Sequence, residues 1–255
     1  MTPFFLYVFE ASCMVKSNEK EVSKMKRKTK KKLLIGISLL VVFALWTIAL
    51  RYVDVKAIGP HNSVVGFAAV NGLFHDFTGV DMLLYTITDW LGLVPFFTAF
   101  GFAVLGLCQW IARKHILKVD NSILLLGVFY LVVIGVYLFF EKCIVNYRPV
   151  LINNFLEASY PSSTTLLTLC VMPTTALQMR KRIQNTRIRH FVVALIYAFT
   201  VFVILGRLVS GVHWLSDIIG AVLLCIGLVL LYDAACETIG EKNTAILAVF
   251  FEGRG

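Results

Sequence analysis

The residues best suited to chemistry lie late in the chain, in "GRLVSGVHWLSD", residues 206–217. His213 and Asp217 are spaced i, i+4, so on a helical start the two side chains share a face. A carboxylate that accepts one ring N–H fixes the imidazole tautomer and leaves the other nitrogen with a free lone pair. It also stabilises positive charge building on the ring. A nucleophilic or basic imidazole needs both. Asp217 opens an apolar run, where an isolated carboxylate costs about 2.5–3.5 kcal/mol at the bilayer centre and less near the surface, so a partner is expected. Arg207, six residues before the histidine, can face the same pocket. Two other segments add polar groups. "EKCIVNYRPVL", residues 141–151, holds Lys142 and Arg148, and "EASYPSSTTLL", residues 157–167, holds Ser162, Ser163 and Thr164. The planar fork of arginine matches phosphate oxygens, and hydroxyl donors add to it, so this set suits a transferring phosphoryl group. Structural roles compete with that reading. Lys142 and Arg148 also suit residues snorkelling to an interface, and Ser162 suits a helix cap.

These groups must be positioned by apolar elements. The chain has 255 residues, 58% hydrophobic and 15% charged, with a mean hydropathy of +0.81. Soluble domains run nearer 25% charged, so the composition indicates a membrane protein. A bilayer core about 30 Å thick needs roughly 20 apolar residues in a helix. Six stretches meet this, near 33–50, 90–112, 122–140, 163–179, 190–206 and 215–235. The fourth is the weakest, being short, rich in threonine and interrupted by Pro173. The expectation is an all-α polytopic protein of six transmembrane helices.

Charge orients these helices. Nine of the 24 Lys and Arg fall between Lys16 and Lys32, directly before the first apolar run. That placement marks a cytoplasmic membrane flank and not a nucleic-acid arm. With this end inside, inner connections collect nineteen basic residues and outer ones five. Both termini are therefore expected in the cytoplasm, and the three polar segments on the outer side. The long outer connection 51–89 places Phe67, Val70, Phe74 and Phe77 at helical spacing, with Asn71, His75 and Asp76 elsewhere on the wheel. This predicts a short helix lying in the outer interface. The chain reads as a basic cytoplasmic tail over 1–32, one membrane domain over 33–236 and a cytoplasmic tail over 237–255. Residues 1–15 read either as a tail or as sequence upstream of a start at Met14 or Met25. The six cysteines show neither a CxxC nor zinc spacing, so neither a metal nor a disulfide framework is expected.

Arg148–Pro149, Pro161–Ser162–Ser163 and Arg207-x5-His213-x3-Asp217 resemble the three signature motifs of the type 2 phosphatidic acid phosphatase superfamily. Its pattern is K-x6-RP, then PSGH, then SR-x5-H-x3-D, on a six-helix fold, and the likeness covers about residues 85–235. The third motif is the specific one. The resemblance implies a membrane phosphatase that needs no cofactor and acts on a lipid phosphate at the extracytoplasmic face of the cell membrane. His213 would be the nucleophile, forming a phosphohistidine that water hydrolyses, and Asp217 would orient it. Arg148, Arg207 and Ser162 would hold phosphate oxygens, helped by the backbone N–H of Ser163 at a helix N-terminus.

Three positions depart from the pattern. Glu141 occupies the lysine position, with Lys142 one residue nearer Arg148 than the pattern requires. Gly206 replaces the serine before Arg207. Thr164 stands where the family has the histidine that protonates the leaving oxygen. Threonine is no general acid near neutral pH, and losing one typically costs 10²–10⁴ in rate. A diphosphate, whose leaving group is itself a phosphate, needs less proton assistance than an alkoxide, which favours polyprenyl diphosphates over phosphatidate-like monoesters. His75 on the outer helix is the candidate substitute acid. Two other readings stand beside the phosphatase. One is a catalytically weakened lipid-phosphate binder of the same fold, favoured by Thr164. The other is a small transporter, which would call for inverted repeats that the sequence does not show.

Overall fold

A computed structural model describes the backbone of residues 3–252 and the side chains of residues 23–240. Eight α-helices follow in order: α1 (Pro3–Tyr52), α2 (Ala68–Thr78), α3 (Met82–Leu91), α4 (Leu93–Arg113), α5 (Asn121–Lys142), α6 (Ser163–Arg182), α7 (Thr186–Val209) and α8 (Leu215–Glu252). A two-stranded antiparallel pair, β1 (Lys56–Ala57) and β2 (Val64–Val65), sits between α1 and α2. The readings placed on residues 1–22 and 241–255 lie outside the described side chains.

Among the described residues, five segments are long and apolar enough to cross a membrane: Ser23–Tyr52, Met82–Arg113, Asn121–Lys142, Thr186–Val209 and Leu215–Gly240. The second unites α3 and α4 across Gly92. The expected fourth span forms as α6, but its threonines keep it below the same threshold. Its place in the bundle explains how such a helix persists. It packs against α4, α5, α7 and α8, and Thr165, Thr168, Thr174, Thr175 and Gln178 are all buried by these neighbours. Most of those polar atoms find partners nearby. Thr174 and Thr175 donate back to carbonyls at 170 and 171, and Gln178 donates to Tyr232 of α8 at 2.6 Å. Surrounding helices thus replace the lipid that a more apolar helix would meet.

The first and last spans lie side by side. A Cβ on Gly36 would stand 3.1 Å from the carbonyl oxygen of Gly227, and one on Gly227 would stand 3.1 Å from that of Gly36. The two glycines let the helix backbones approach closely, as small residues do in membranes. One turn from that crossing, Lys32 joins Asp233 and Glu237 at 2.5 and 2.6 Å.

At the other end of the bundle, three connections position polar groups. The α5–α6 connection folds back on itself. Ser159 N donates to Asn146 O at 2.9 Å, Arg148 N to Glu157 O at 3.1 Å, and Phe155 N to Ile152 O at 2.9 Å. Its tip is Asn153–Asn154, with φ of 50° and 66°, the positive pair that a two-residue hairpin turn with right-handed twist requires. The α7–α8 connection turns at Gly211, φ 69°, where a Cβ would collide with the Gly79 carbonyl. Helix α2 forms where the helical spacing predicted it, and its outward face carries Val70, Leu73 and Phe77. Asn71 faces inward instead. It donates to Gly66 O and Ser216 Oγ at 2.8 and 2.9 Å, and accepts from Ser216 N at 3.1 Å, docking α2 onto the start of α8.

Candidate active site

Helix α7 carries Arg207 in its last turn, completely buried beside the connection that holds His213. Its Nη2 donates to His213 Nε2 at 3.0 Å, and its Nη1 pairs with Asp89 of α3 at 3.3 Å. Arg148 comes from the α5–α6 hairpin and has a side chain only 9% exposed. Both guanidiniums face the ring of Tyr85, with their carbons 4.8 Å (Arg207) and 5.9 Å (Arg148) from its centroid. A shared ring between two buried cations offsets part of their mutual repulsion. Arg148 Nε lies 3.2 Å from Glu157, close enough for an ion pair but misaligned for a hydrogen bond. Nε and Nη1 of Arg148 and Nε of Arg207 are buried donors without a hydrogen-bond partner among the described residues. Such groups carry a desolvation penalty until an acceptor reaches them.

The imidazole is held differently from the sequence expectation. His213 precedes α8, so the i, i+4 spacing does not bring the pair together directly, and Nδ1 stands 3.9 Å from Asp217 Oδ2. Ser159 fills the gap. Its Oγ lies 3.0 Å from His213 Nδ1 and donates to Asp217 Oδ2 at 2.5 Å. A serine hydroxyl has one proton. With that proton on the carboxylate side, the oxygen accepts Nδ1–H from the ring. Nε2 then carries the lone pair, which is consistent with its accepting from Arg207. Asp217 is further fixed by Trp214 N at 3.0 Å and Asn146 Nδ2 at 3.2 Å. Burial pushes His213 well below the ordinary imidazole range, and the charges of Arg148 and Arg207 push it the same way. The ring is neutral, oriented and faces two arginines.

Ser162 stands, fully buried, at the N-cap position of α6 without a side-chain capping bond, and its Oγ accepts from Thr165 Oγ1 at 3.0 Å. Ser163 opens that helix and lines a cavity of about 500 Å³ with Arg148, Ser159, Glu141 and Glu157. Thr164 lines a second cavity of about 520 Å³ with Asp89, Gly92 and Ser163, which continues between α4 and α5 past Phe96, Val133 and Leu138. Lys142 stays exposed at the end of α5 and outside the lining of both cavities, whereas Glu141 faces the first. His75 packs its ring on Trp214 at 5.5 Å, with a buried Nδ1 that has no partner. No hydrogen bond joins it to the arginine cluster among the described residues. Gly206, in place of the family's serine, packs against α3, where an added Cβ would stand 2.5 Å from Thr88 Cγ2.

Sequence reasoning thus missed Ser159, Asn146, Tyr85 and Asp89. Ser159 and Asn146 flank the motifs, and only the hairpin register brings them to Asp217. Tyr85 and Asp89 come from the outer connection, four residues apart on α3. That i, i+4 spacing of a tyrosine and the one charged residue of the helix was the available signal.

Comparison with known proteins fits this geometry. The family model described as the PAP2 superfamily matches residues 140–235, from the end of α5 into α8. Among solved structures, the chain resembles the first transmembrane PAP2 type phosphatidylglycerolphosphate phosphatase from Bacillus subtilis, with a TM-score of 0.57 and 18% identity. That alignment covers 81% of this chain and 96% of the other. At such identity the likeness concerns the fold. Comparison with curated proteins finds no match.

Proposed function

We propose that this chain, whose residues 140–235 match the PAP2 superfamily model, is an integral membrane phosphatase of the type 2 phosphatidic acid phosphatase superfamily that removes phosphate from a lipid. The bundle crosses the membrane six times, with α6 as the sheltered sixth span, both termini cytoplasmic and the site opening outward. His213 Nε2 attacks phosphorus, and the phosphoryl oxygens take over the N–H groups of Arg207 and the unpartnered ones of Arg148. Ser162, Ser163 and the N-terminus of α6 add donors on another side. Ser159 and Asp217 hold the ring proton on Nδ1 and stabilise the charge that develops as the N–P bond forms. Water then hydrolyses the phosphohistidine. The cavity running from Thr164 between α4 and α5 is lined by apolar side chains farther from the site, which suits a lipid chain reaching in from the bilayer.

One observation carries this reading: a neutral imidazole nitrogen 3.0 Å from a fully buried guanidinium, beside a second arginine whose Nε and Nη1 have no hydrogen-bond partner among the described residues. Thr164 directs substrate choice towards lipids with a good leaving group, polyprenyl diphosphates ahead of phosphatidate. It also supports a second reading, a lipid-phosphate binder with little turnover. Purified protein assayed for phosphate release on both lipid classes, beside His213→Ala, separates the two. The phosphatase reading expects release that the variant abolishes, with a phosphorylated histidine trapped on acid-free quenching. Tight binding with release no higher than in the variant would leave the binder.

A further inference from the structure

Thr164 leaves the site without the side chain that would hand a proton to the leaving oxygen, so another group within reach of the same phosphoryl position has to supply it. Asp89 meets the geometric requirement. A single guanidinium bridges it to the nucleophile, with Arg207 Nη2 on His213 Nε2 at 3.0 Å and Nη1 on Asp89 Oδ1 at 3.3 Å. Asp89 also lines the cavity that Thr164 lines. A phosphoryl group seated on Arg207 therefore has the imidazole at one end of the fork and this carboxylate at the other. In-line displacement needs that arrangement, with nucleophile and leaving group on opposite sides of phosphorus. The side chain is 55% exposed, so it can exchange protons with water between turnovers. Glu141 and Glu157 line the other cavity, which Thr164 does not line.

We infer that Asp89 is the proton-transfer residue for the leaving group, taking the place of the histidine that Thr164 replaces. This rests on the phosphatase reading above. A phosphate monoester monoanion brings its own proton on a non-bridging oxygen. As His213 Nε2 bonds to phosphorus and the bond from phosphorus to the ester oxygen breaks, the Asp89 carboxylate receives that proton and passes it to the departing oxygen. The products are a neutral alcohol and phosphohistidine, with Asp89 again a carboxylate. In the second half, Asp89 accepts a proton from the water that attacks phosphorus. The electrons of the N–P bond return to Nε2, and inorganic phosphate leaves. No oxidant, metal or further reactant takes part.

Asp89→Asn is the informative variant, because the amide keeps an oxygen towards Arg207 while losing the capacity to relay a proton, and the charge lost with it from the ion pair affects both substrates alike. It is assayed on phosphatidate, whose alkoxide leaving group needs a proton, and on p-nitrophenyl phosphate, whose phenolate does not. The expected result is a loss of about 10² in kcat on phosphatidate and only a few-fold on the aryl ester, so the ratio between the two substrates changes by more than tenfold. Equal losses on both, or none on either, would overturn the role of Asp89 while leaving the wild-type phosphatase intact. Wild-type protein that binds phosphatidate but turns over neither substrate would overturn the phosphatase reading, and the role of Asp89 with it.

Discussion

The hydroxyl of Ser159 lies 2.5 Å from Asp217 Oδ2, nearer than any other group bonded to that carboxylate. The aspartate therefore acts on His213 through a serine. Replacing Ser159 by alanine removes the hydroxyl that receives Nδ1–H and links the ring to Asp217, which loosens its orientation and tautomer. We expect kcat to fall roughly 10- to 100-fold with KM changed little, and Ser159→Thr to recover part of the loss. Steady-state kinetics on phosphatidate or a polyprenyl diphosphate checks this. A change in KM alone would mean that Ser159 holds substrate instead.

The pH profile follows from burial. His213 stays neutral in the folded protein to a pH well below its ordinary value of 6.5. The acid limb of kcat/KM for its ionisation should accordingly lie below 6.5. Arg148→Gln removes one of the charges that lower it, so the limb should move up towards 6.5 while KM rises. Stability follows the same sign. Between the depressed folded value and 6.5 the unfolded chain binds the extra proton, so the His213 contribution to stability is lost as pH falls through this window. A pH–rate profile of both proteins measures the shift.

Gly206 is a packing requirement of this chain. Introducing the serine of the family pattern forces its Cβ to within 2.5 Å of Thr88 Cγ2. Gly206→Ser should destabilise the protein by about 1–3 kcal/mol. Thr88→Ser, which deletes the obstructing methyl and keeps the hydroxyl bonded to Leu84 O, should recover most of that in the double variant. Thermal unfolding in detergent reads both.

Thr164→His tests the other side of the proton question. In an Asp89→Asn background, the new imidazole enters the cavity shared with Asp89. Phosphatidate turnover should rise at least tenfold there, and much less when Asp89 is present. Similar gains in the two backgrounds would separate Thr164 from Asp89 functionally.

Asn71 ties the outer connection to the site. Asn71→Ala leaves Ser216 N–H and Gly66 C=O without their partner, which should cost about 1–3 kcal/mol. It should also increase hydrogen exchange in α2 and at the start of α8.

The residues that the proposed function sets around phosphorus were legible because their spacing is local. Arg207, His213 and Asp217 sit on one turn and a helix start, and Arg148 carries the proline that ends its strand-like run. Ser159 was not legible because its role depends on a hairpin register, set by backbone bonds between 146 and 159 and by the Asn153–Asn154 turn. Tyr85 and Asp89 were hidden for another reason. They lie in a stretch whose apolar neighbours continue into α4, so the first part of a span looked like part of a loop. Hydropathy placed α1, α4, α5, α7 and α8 well, because lipid imposes apolar surface on all of them. It ranked α6 low for the same reason, since that helix meets protein on every side.

The shelter around α6 has a consequence for biogenesis. A threonine-lined helix with a glutamine near its end gains little by partitioning into hydrocarbon alone. It cannot be released sideways from the translocation machinery as an independent unit, and must wait until α7 and α8 emerge to flank it. A nascent chain in which α6 has left the ribosome and α8 has not should therefore keep Cys170 accessible to aqueous thiol reagents, and the same residue, buried in the complete bundle, should become protected only after α8 is complete.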